Sequence, residues 1–151
     1  MIQLRRRDAG SERVVVVGLG KLGCTIARTL AEEGTDVLAI DRSMEVVQRE
    51  SDVLQAAVQA DATDLEALAA AGAKGASAAV VAIGDDFQAS VLAISVLREL
   101  GIPRLIARAN NEREARILQL VGATEVVFIE QEMGRRLAQG LLQRVEKREP
   151  S

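Results

Sequence analysis

The sequence predicts an α/β fold in which six parallel strands form one doubly wound sheet with helices on both faces. Short apolar runs rich in valine and isoleucine alternate with helix-length segments, which is the order of successive β–α units. The 151 residues include two Phe and no Trp or Tyr, so the core must be built from aliphatic side chains. Aliphatic runs are typical of parallel strands buried on both faces.

Each strand is predicted from an apolar run that ends at polar or turn-forming residues. The six predicted strands are 14–17, 37–40, 53–58, 79–83, 105–107 and 126–129.

Helices are predicted between these strands, and after the last one, from capping residues and apolar spacing. The expected helices are 22–33 before Gly34, a short one from Ser43 to 50, one opened by a Thr63 and Glu66 capping box and closed by Gly72, one at 85–100, one capped by Asn110 or Asn111 and closed by Gly122, and 131–147.

Three segments are predicted: a lead-in at 1–12, a nucleotide-binding domain at 13–130, and a C-terminal helix within 131–151. In the last helix an apolar residue recurs at every fourth position, at Met133, Leu137, Leu141 and Val145. This stripe packs either on the sheet of its own subunit or on another subunit.

Composition excludes several function classes. A net charge of −3 with two aromatic residues argues against binding to nucleic acid. No apolar run is long enough to insert into a membrane, and the single cysteine fits a reducing, cytoplasmic compartment. The basic run 5–7 is either a solvated lead-in or a contact with anionic lipid.

The clearest motif is the loop Gly18-Leu19-Gly20-Lys21-Leu22-Gly23, which follows a run of four valines and opens an amphipathic helix. In that context a GxGxxG pattern predicts a Rossmann-like phosphate loop. The first glycine allows the tight turn, the second lets the backbone approach a pyrophosphate, and the third lets the helix pack closely. We therefore expect an adenine nucleotide at this loop.

The end of the second strand carries a candidate ribose ligand. Asp41 is placed to bind the ribose hydroxyls and to repel a 2′-phosphate, or else to cap the following helix. The neighbouring Arg42 either accommodates a phosphate or stacks on adenine, or it is a solvated charge.

The next two strand ends carry further candidates. Asp61, followed by Ala62 and Thr63, either accepts the adenine amino group or caps the next helix. Ile83 and Gly84 end the fourth strand at the point where the strand order reverses, so Gly84 either permits close approach of the nucleotide or is an ordinary loop glycine.

For three other side chains the sequence allows both a functional interpretation and one without a function. Lys21 either neutralises a distal phosphate or faces solvent, and Arg108 either contacts a phosphate or carboxylate or is a surface arginine. Cys24 is either a small packing residue or a thiol whose pKa is lowered by the helix N-terminus. With no His and no Tyr, the chain lacks an imidazole base and a tyrosine acid, which predicts binding without catalysis.

The segments VVVVGLGKLG, AIDRS, ADAT, VVAIGDD and FIEQEMG together resemble the RCK domain, also called the KTN or TrkA-N domain, of bacterial Trk and Ktr potassium-uptake regulators. The resemblance covers 13 to about 142. It implies binding of ATP, ADP or NAD(H), and dimers that assemble into a ring beneath a potassium channel or transporter. Such regulators usually continue into a smaller subdomain, so the chain is either a fragment or a stand-alone domain.

The resemblance also assigns roles by position. Gly18, Gly20 and Gly23 match the phosphate loop of the family. Lys21 matches a basic residue, commonly arginine, that meets the terminal phosphate. Asp41 matches the ribose ligand, and Asp61 with Ala62 matches the adenine site. Glu130 matches an acidic residue near the dimer interface that holds a divalent cation, Mg²⁺ or Ca²⁺, beside the phosphates; the alternative is that it merely starts the last helix.

The expected function is a nucleotide-sensing, non-catalytic regulator of potassium transport. It is expected in the cytoplasm, peripheral to the membrane through its partner, as a homodimer within a larger ring. The rival interpretation is the cofactor half of an NAD-dependent oxidoreductase whose catalytic residues lie on another chain. A third is a Rossmann-derived scaffold with an empty site.

Overall fold

A computed structural model describes residues 12–148, and the side chains of 12–144. Six parallel strands form a single sheet in the order β3-β2-β1-β4-β5-β6. The strands are β1 Val14–Val17, β2 Val37–Asp41, β3 Ala57–Gln59, β4 Ala78–Val81, β5 Arg104–Arg108 and β6 Glu125–Val127. The helices are α1 Lys21–Glu32, α2 Met44–Glu50, α3 Leu65–Ala71, α4 Phe87–Glu99, α5 Glu112–Val121 and α6 Ile129–Arg148.

The two faces of the sheet carry separate hydrophobic clusters, as a doubly wound fold requires. On one face Val16 and Ala39 pack with Ala27 of α1 and with Leu54, which follows α2. On the other, alternate residues of the same strands pack against α3, α4 and α5, through residues that include Val15, Leu38, Leu68, Ile94 and Leu118. The predicted fold class, with its six parallel strands and C-terminal helix, is therefore confirmed.

The prediction of β3 was wrong in position, because its first residues do not form a strand. The N–H groups of Val53 and Leu54 both donate to the carbonyl of Glu50, at 3.0 and 2.9 Å, which continues the turn after α2. Leu54 is thereby buried under the sheet rather than within it. An apolar run alone does not distinguish these two modes of burial.

Other boundaries differ by a few residues. The predicted capping box is wrong, because Asp64 caps α3 by accepting from the N–H groups of Glu66 and Ala67 at 3.0 and 3.3 Å. The strand β4 ends at Val81 and β6 at Val127, each two residues earlier than predicted. Helix α6 begins at Ile129, so Glu130 lies in its first turn.

The described part of the apolar stripe of α6 is exposed. Met133, Leu137 and Leu141 are 50%, 63% and 65% exposed, and Leu142 beside them is 63% exposed. The interpretation that this stripe packs on the sheet of its own subunit is therefore wrong for these residues, while the side chain of Val145 lies outside the described set. The lead-in and its basic run at 5–7 also lie outside the described residues, apart from Glu12. Among the described helices, none has the length and apolar character to cross a bilayer.

Candidate functional site

A cleft of about 410 Å³ opens at the carboxyl edge of the sheet, at the ends of β1 and β4, where the strand order reverses. Open α/β sheets bind ligands at this reversal of strand order. Four strand ends and the start of α4 supply the walls. The lining residues are Val17, Gly18, Leu19, Gly20, Ile40, Asp41, Arg42, Ala60, Asp61, Ala62, Thr63, Ala82, Ile83, Gly84, Asp86, Gln88, Ala89 and Leu92.

The three loop glycines differ in what they make possible. Gly18 has φ +93°, and a Cβ there would lie 2.9 Å from the carbonyl oxygen of Ala82. A Cβ on Gly23 would lie 1.6 Å from the carbonyl oxygen of Gly18, so only glycine lets α1 pack this closely on the loop. A Cβ on Gly20 would meet nothing within 4 Å. Gly20 also lines the cleft, so the loop leaves room for a ligand at this residue.

The N-terminus of α1 offers a site for an anion. Gly20 is the N-cap and supplies no side-chain hydrogen bond, and the first turn contains no acidic residue. The first N–H groups of a helix have no partner within the helix, and the helix dipole is positive at this end. The arrangement is therefore complementary to a phosphate group.

Asp41 is held in a fixed orientation at the end of β2. Its Oδ2 accepts from the N–H of Leu19 at 2.8 Å, and its Oδ1 accepts from the N–H of Ser43 at 2.9 Å. The helix-capping interpretation of Asp41 is wrong, because the N-cap of α2 is Ser43, whose Oγ accepts from the N–H of Val46 at 3.3 Å. Each carboxylate oxygen keeps acceptor capacity for a further donor, such as a ribose hydroxyl.

Asp61 lines the cleft together with Arg42, and its carboxyl group is ionised at neutral pH. Its Oδ1 accepts from the hydroxyl of Thr63 at 2.6 Å and from the N–H of Thr63 at 2.9 Å. These two hydrogen bonds, aided by the charge of Arg42, hold the pKa of Asp61 below its usual range despite partial desolvation. Asp61 does not cap α3, since Asp64 does, so that alternative is wrong. Ala62 beside it is buried in the cleft floor.

The predicted site residues separate into two groups. Eight line the cleft: Gly18, Gly20, Asp41, Arg42, Asp61, Ala62, Ile83 and Gly84. Lys21 is exposed on the first turn of α1, and Leu22 and Gly23 follow it within the helix, so these three do not form the cleft wall. Their backbone N–H groups remain part of the helix N-terminus.

Arg108 and Glu130 lie apart from the cleft and pair with each other. The guanidinium of Arg108, at the end of β5, donates a hydrogen bond to Oε1 of Glu130 in the first turn of α6. Within residues 12–148 the buried Nε of Arg108 has no hydrogen-bond partner. In the same part of the chain, no three or more His, Cys, Asp or Glu side chains cluster to hold a metal ion. The metal role of Glu130 therefore stays a prediction.

The start of α4 contributes residues that sequence reasoning missed. Asp86 caps the helix by accepting from the N–H of Ala89 at 3.0 Å, and it lines the cleft with Gln88 and Leu92. The sequence marked Asp85 and Asp86 as the opening of a helix. The strand order was the further signal that these residues border the cleft, because β4 lies beside β1 and the helix after β4 therefore begins near the phosphate loop.

A buried ionic group lies behind the phosphate loop. Glu50 is 1% exposed and accepts from Nε and a terminal nitrogen of Arg28, both at 2.9 Å. Burial favours protonation of Glu50, but the adjacent polar side chain of Cys24, the hydrogen bonds and charge of Arg28 and a hydrogen bond from Arg49 outweigh it and lower its pKa. Burial, followed by the adjacent Glu50, raises the pKa of the Cys24 thiol. The alternative of a lowered thiol pKa is therefore wrong, and Cys24 packs in the α1 cluster.

Taken together, the sheet order, the GxGxxG turn and the carboxylate after β2 define a Rossmann-type domain of the dinucleotide-binding pattern. The family model of the TrkA-N domain matches residues 14–129. The chain belongs to the TrkA-N domain family.

Two curated relatives align with most of this chain. The Ktr system potassium uptake protein C of Bacillus subtilis (strain 168) is 34% identical over 127 residues, which are 84% of this chain and 58% of that protein. The Ktr system potassium uptake protein A of Vibrio alginolyticus is 32% identical over 133 residues, which are 88% of this chain and 60% of that protein. The chain thus spans about three-fifths of the length of these relatives.

Solved structures of the protein GsuK superpose on the chain. GsuK bound to ADP matches with a TM-score of 0.69 and 29% identity, over 92% of this chain and 36% of that one. The GsuK channel bound to NAD matches with a TM-score of 0.69 and 30% identity, over 89% of this chain and 24% of that one.

Proposed function

We propose that the chain is a cytoplasmic, nucleotide-sensing regulatory domain that controls a potassium channel or transporter by binding ATP, ADP or NAD(H). The observation that carries the proposal is the cleft, in which a bare helix N-terminus and the fixed carboxylate of Asp41 flank the open space at Gly20. The potassium-uptake relatives and the GsuK channel support the transport context. The ADP and NAD bound to GsuK support the ligand class.

The cleft suggests how an adenine nucleotide would be held. The phosphates would meet the N–H groups at the start of α1, and the ribose hydroxyls would donate to Asp41. The adenine would lie near Ala62 and Asp61, where Oδ2 of Asp61 can accept from the amino group. Arg42 is the basic side chain among the lining residues, close to the ribose end.

Titration of the parent chain with ATP, ADP, AMP, NAD, NADH and NADP tests this assignment, with thermal unfolding or calorimetry as the readout. A ligand at about 100 times its Kd stabilises the folded state by about 2.7 kcal/mol. Absence of any shift with all six ligands would leave only the empty-scaffold interpretation. The ranking of the ligands would identify the nucleotide that the cleft prefers.

Asp41→Ala separates the ribose site from general stability. Loss of a hydrogen bond to a charged acceptor costs about 1.5–3 kcal/mol, so affinity should fall roughly 10-fold to 150-fold, and the gap between NAD and NADP should narrow. Asp36→Ala is the matched control, because Asp36 precedes β2 and pairs with Arg13 at 3.0 Å away from the cleft. Equal titration curves for Asp41→Ala and the parent would remove Asp41 from the site.

The proposed role is regulatory and not catalytic. A nucleotide that binds one conformation better than another shifts the population between them, and this requires no turnover. The rival is an oxidoreductase half, whose catalytic groups another chain would supply. Prolonged incubation of the chain with NADH and candidate carbonyl substrates should leave the absorbance of NADH unchanged. Oxidation of NADH in proportion to protein concentration would favour the rival.

The exposed stripe on α6 supports a homodimer, and dimers are the proposed unit of a larger ring beneath the membrane partner. Met133, Leu137, Leu141 and Leu142 give one helix a continuous apolar surface. Such a surface typically packs against another chain. Sedimentation of the parent chain at high concentration as a monomer would contradict this part of the proposal.

Glu130 is proposed to make ATP binding depend on Mg²⁺ or Ca²⁺. A carboxylate beside phosphate is repulsive, whereas a hard cation takes oxygen ligands from both. The ion pair with Arg108 must open for this, which adds a cost that a bound cation has to offset. ATP titrations in EDTA, Mg²⁺ and Ca²⁺ with Glu130→Gln, and with Glu132→Gln on the same helix turn as control, test the role. The same cation response in all three proteins would eliminate it.

A further inference from the structure

Two consecutive peptide groups of the phosphate loop are each held by a side chain. The N–H of Leu19 donates to Oδ2 of Asp41 at 2.8 Å. The carbonyl oxygen of Leu19, which belongs to the next peptide group, accepts from Sγ of Cys24 at 3.0 Å. The first contact reaches toward the ribose site, and the second lies behind the loop in the apolar cluster of α1.

The second contact fixes the direction of a backbone donor. The described chain contains no cis peptide bond, and in a planar trans peptide the C=O and N–H groups point in opposite directions. When the carbonyl of Leu19 faces Cys24, the N–H of Gly20 therefore faces away from the cluster. Gly20 lines the cleft, a Cβ there would meet nothing within 4 Å, and within residues 12–148 its N–H makes no hydrogen bond.

The thiol of Cys24 has one hydrogen and two neighbouring acceptors. The carboxylate of Glu50 is already occupied by the two nitrogens of Arg28, at 2.9 Å each, and Arg49 lies 3.5 Å from it. The carbonyl of Leu19 is the acceptor at hydrogen-bond distance. Burial and the adjacent carboxylate raise the pKa of the thiol, so it remains a protonated donor at neutral pH.

We propose that Cys24 is a positioning residue for phosphate binding, whose thiol holds the Leu19–Gly20 peptide so that the N–H of Gly20 faces the ligand's phosphate. This inference rests on the proposed nucleotide site. Without the thiol hydrogen the carbonyl of Leu19 loses its side-chain donor, so rotation of this peptide, which would present its carbonyl oxygen to an anion, becomes less costly. A residue that only packs would change the affinity for adenosine and ADP alike, whereas a positioning residue changes the affinity for ADP alone.

The test compares Cys24→Ala, Cys24→Ser and the control Thr25→Val by calorimetry with ADP and with adenosine. Thr25 is adjacent, and its hydroxyl donates to the carbonyl of Lys21 at 2.7 Å and not to the carbonyl of Leu19. A net hydrogen bond is worth about 0.5–1.5 kcal/mol, so Cys24→Ala should lower the affinity for ADP roughly 3-fold to 10-fold and the affinity for adenosine less than about 2-fold. Serine keeps a donor and should recover part of the loss, and Thr25→Val should match the parent.

A second readout does not depend on measurable adenosine binding. In the parent, addition of ADP should move the amide proton resonance of Gly20 downfield as it bonds to phosphate, and in Cys24→Ala this shift should shrink. An equal Gly20 shift in both proteins, or equal losses for ADP and adenosine, overturns the positioning role while the nucleotide site stands. A parent chain that binds no adenine nucleotide overturns the proposed function and this inference with it.

Discussion

Helices α1 and α6 have the same apolar spacing in sequence and opposite surroundings in the structure. In α1 the stripe of Leu22, Ile26 and Leu30 is partly buried, and Ala27 between them is fully buried against the sheet. In α6 the stripe that begins at Met133 has the same four-residue repeat, yet Met133, Leu137 and Leu141 are half or more exposed. Both helices follow a strand of the same sheet.

The difference shows what periodicity encodes. A repeat of about four residues places apolar side chains on one face of a helix, whatever that face later contacts. The small residues Gly23 and Ala27 let α1 approach the sheet, and its N-terminus then lies at the cleft. The helix α6 extends beyond the last strand, so no further element of the described chain covers it.

The largest expected contrast is between a glutamate placed in each helix. Ala27→Glu puts a charge into a fully buried position and should cost more than about 4 kcal/mol, which prevents stable folding. Leu137→Glu should leave the unfolding free energy of the monomer within about 0.5 kcal/mol, because the residue is exposed, and should abolish the proposed dimer.

Chemical denaturation of dilute protein and sedimentation at high concentration measure these two effects. Gln139→Glu, at an exposed position of α6 away from the stripe, is the control for added charge. A Leu137→Glu monomer that is as unstable as Ala27→Glu would show that α6 is packed on its own subunit.

The next largest contrast is expected between the ion pairs of the two helices, in how much each contributes to stability. Arg28→Ala removes the main partner of a carboxylate that is 1% exposed and should destabilise the fold by about 3 kcal/mol. Arg135 in α6 lies 3.9 Å from Glu132, and both side chains are 68% exposed, so Arg135→Ala should change stability by less than about 0.5 kcal/mol. Urea denaturation at low and high salt would measure both, and equal losses would contradict the assigned difference in burial.

Replacing a glycine by alanine should lower the stability of the protein in α1 and raise it in α6. Gly23→Ala forces a Cβ against the carbonyl oxygen of Gly18, which should cost about 1–3 kcal/mol and disrupt the phosphate loop. Gly140→Ala meets nothing within 4 Å, so it should stabilise α6 by about 0.5–1 kcal/mol. Melting temperatures and helical circular dichroism of dilute samples check the signs. A higher melting temperature for Gly23→Ala would mean that the loop accommodates the Cβ without strain.

The smallest expected effect is a dependence of stability on acid. The pKa of Glu50 is lowered from 4.5 in the folded chain, so its contribution is present above about pH 4.5 and is lost as pH falls through the folded value. Glu50→Gln should therefore flatten the stability profile below that pH. Glu132→Gln in α6 should leave the profile parallel to that of the parent, and a flattened profile for both would contradict the assignment to Glu50.

Much of the candidate site was predictable because its signals are local. Gly18, Gly20 and Asp41 were identified from the spacing of glycines after an apolar strand and from a carboxylate at the end of the next strand. The start of α4 was not identified, because a capping aspartate looks the same whether or not its helix borders a cleft. The pairing of Arg108 with Glu130 depends on the distance between β5 and α6, which no local pattern contains.

The sequence alone determined the alternation of strands and helices, the glycine loop and the lack of catalytic His and Tyr, because these follow from residue type and spacing along the chain. Only the tertiary structure decided that Leu54 is buried outside the strand, that Cys24 contacts Leu19 and that the described part of the α6 stripe is exposed. Such contacts depend on which surfaces meet in space, and the same apolar or polar side chain satisfies several packing arrangements until the other elements are in place.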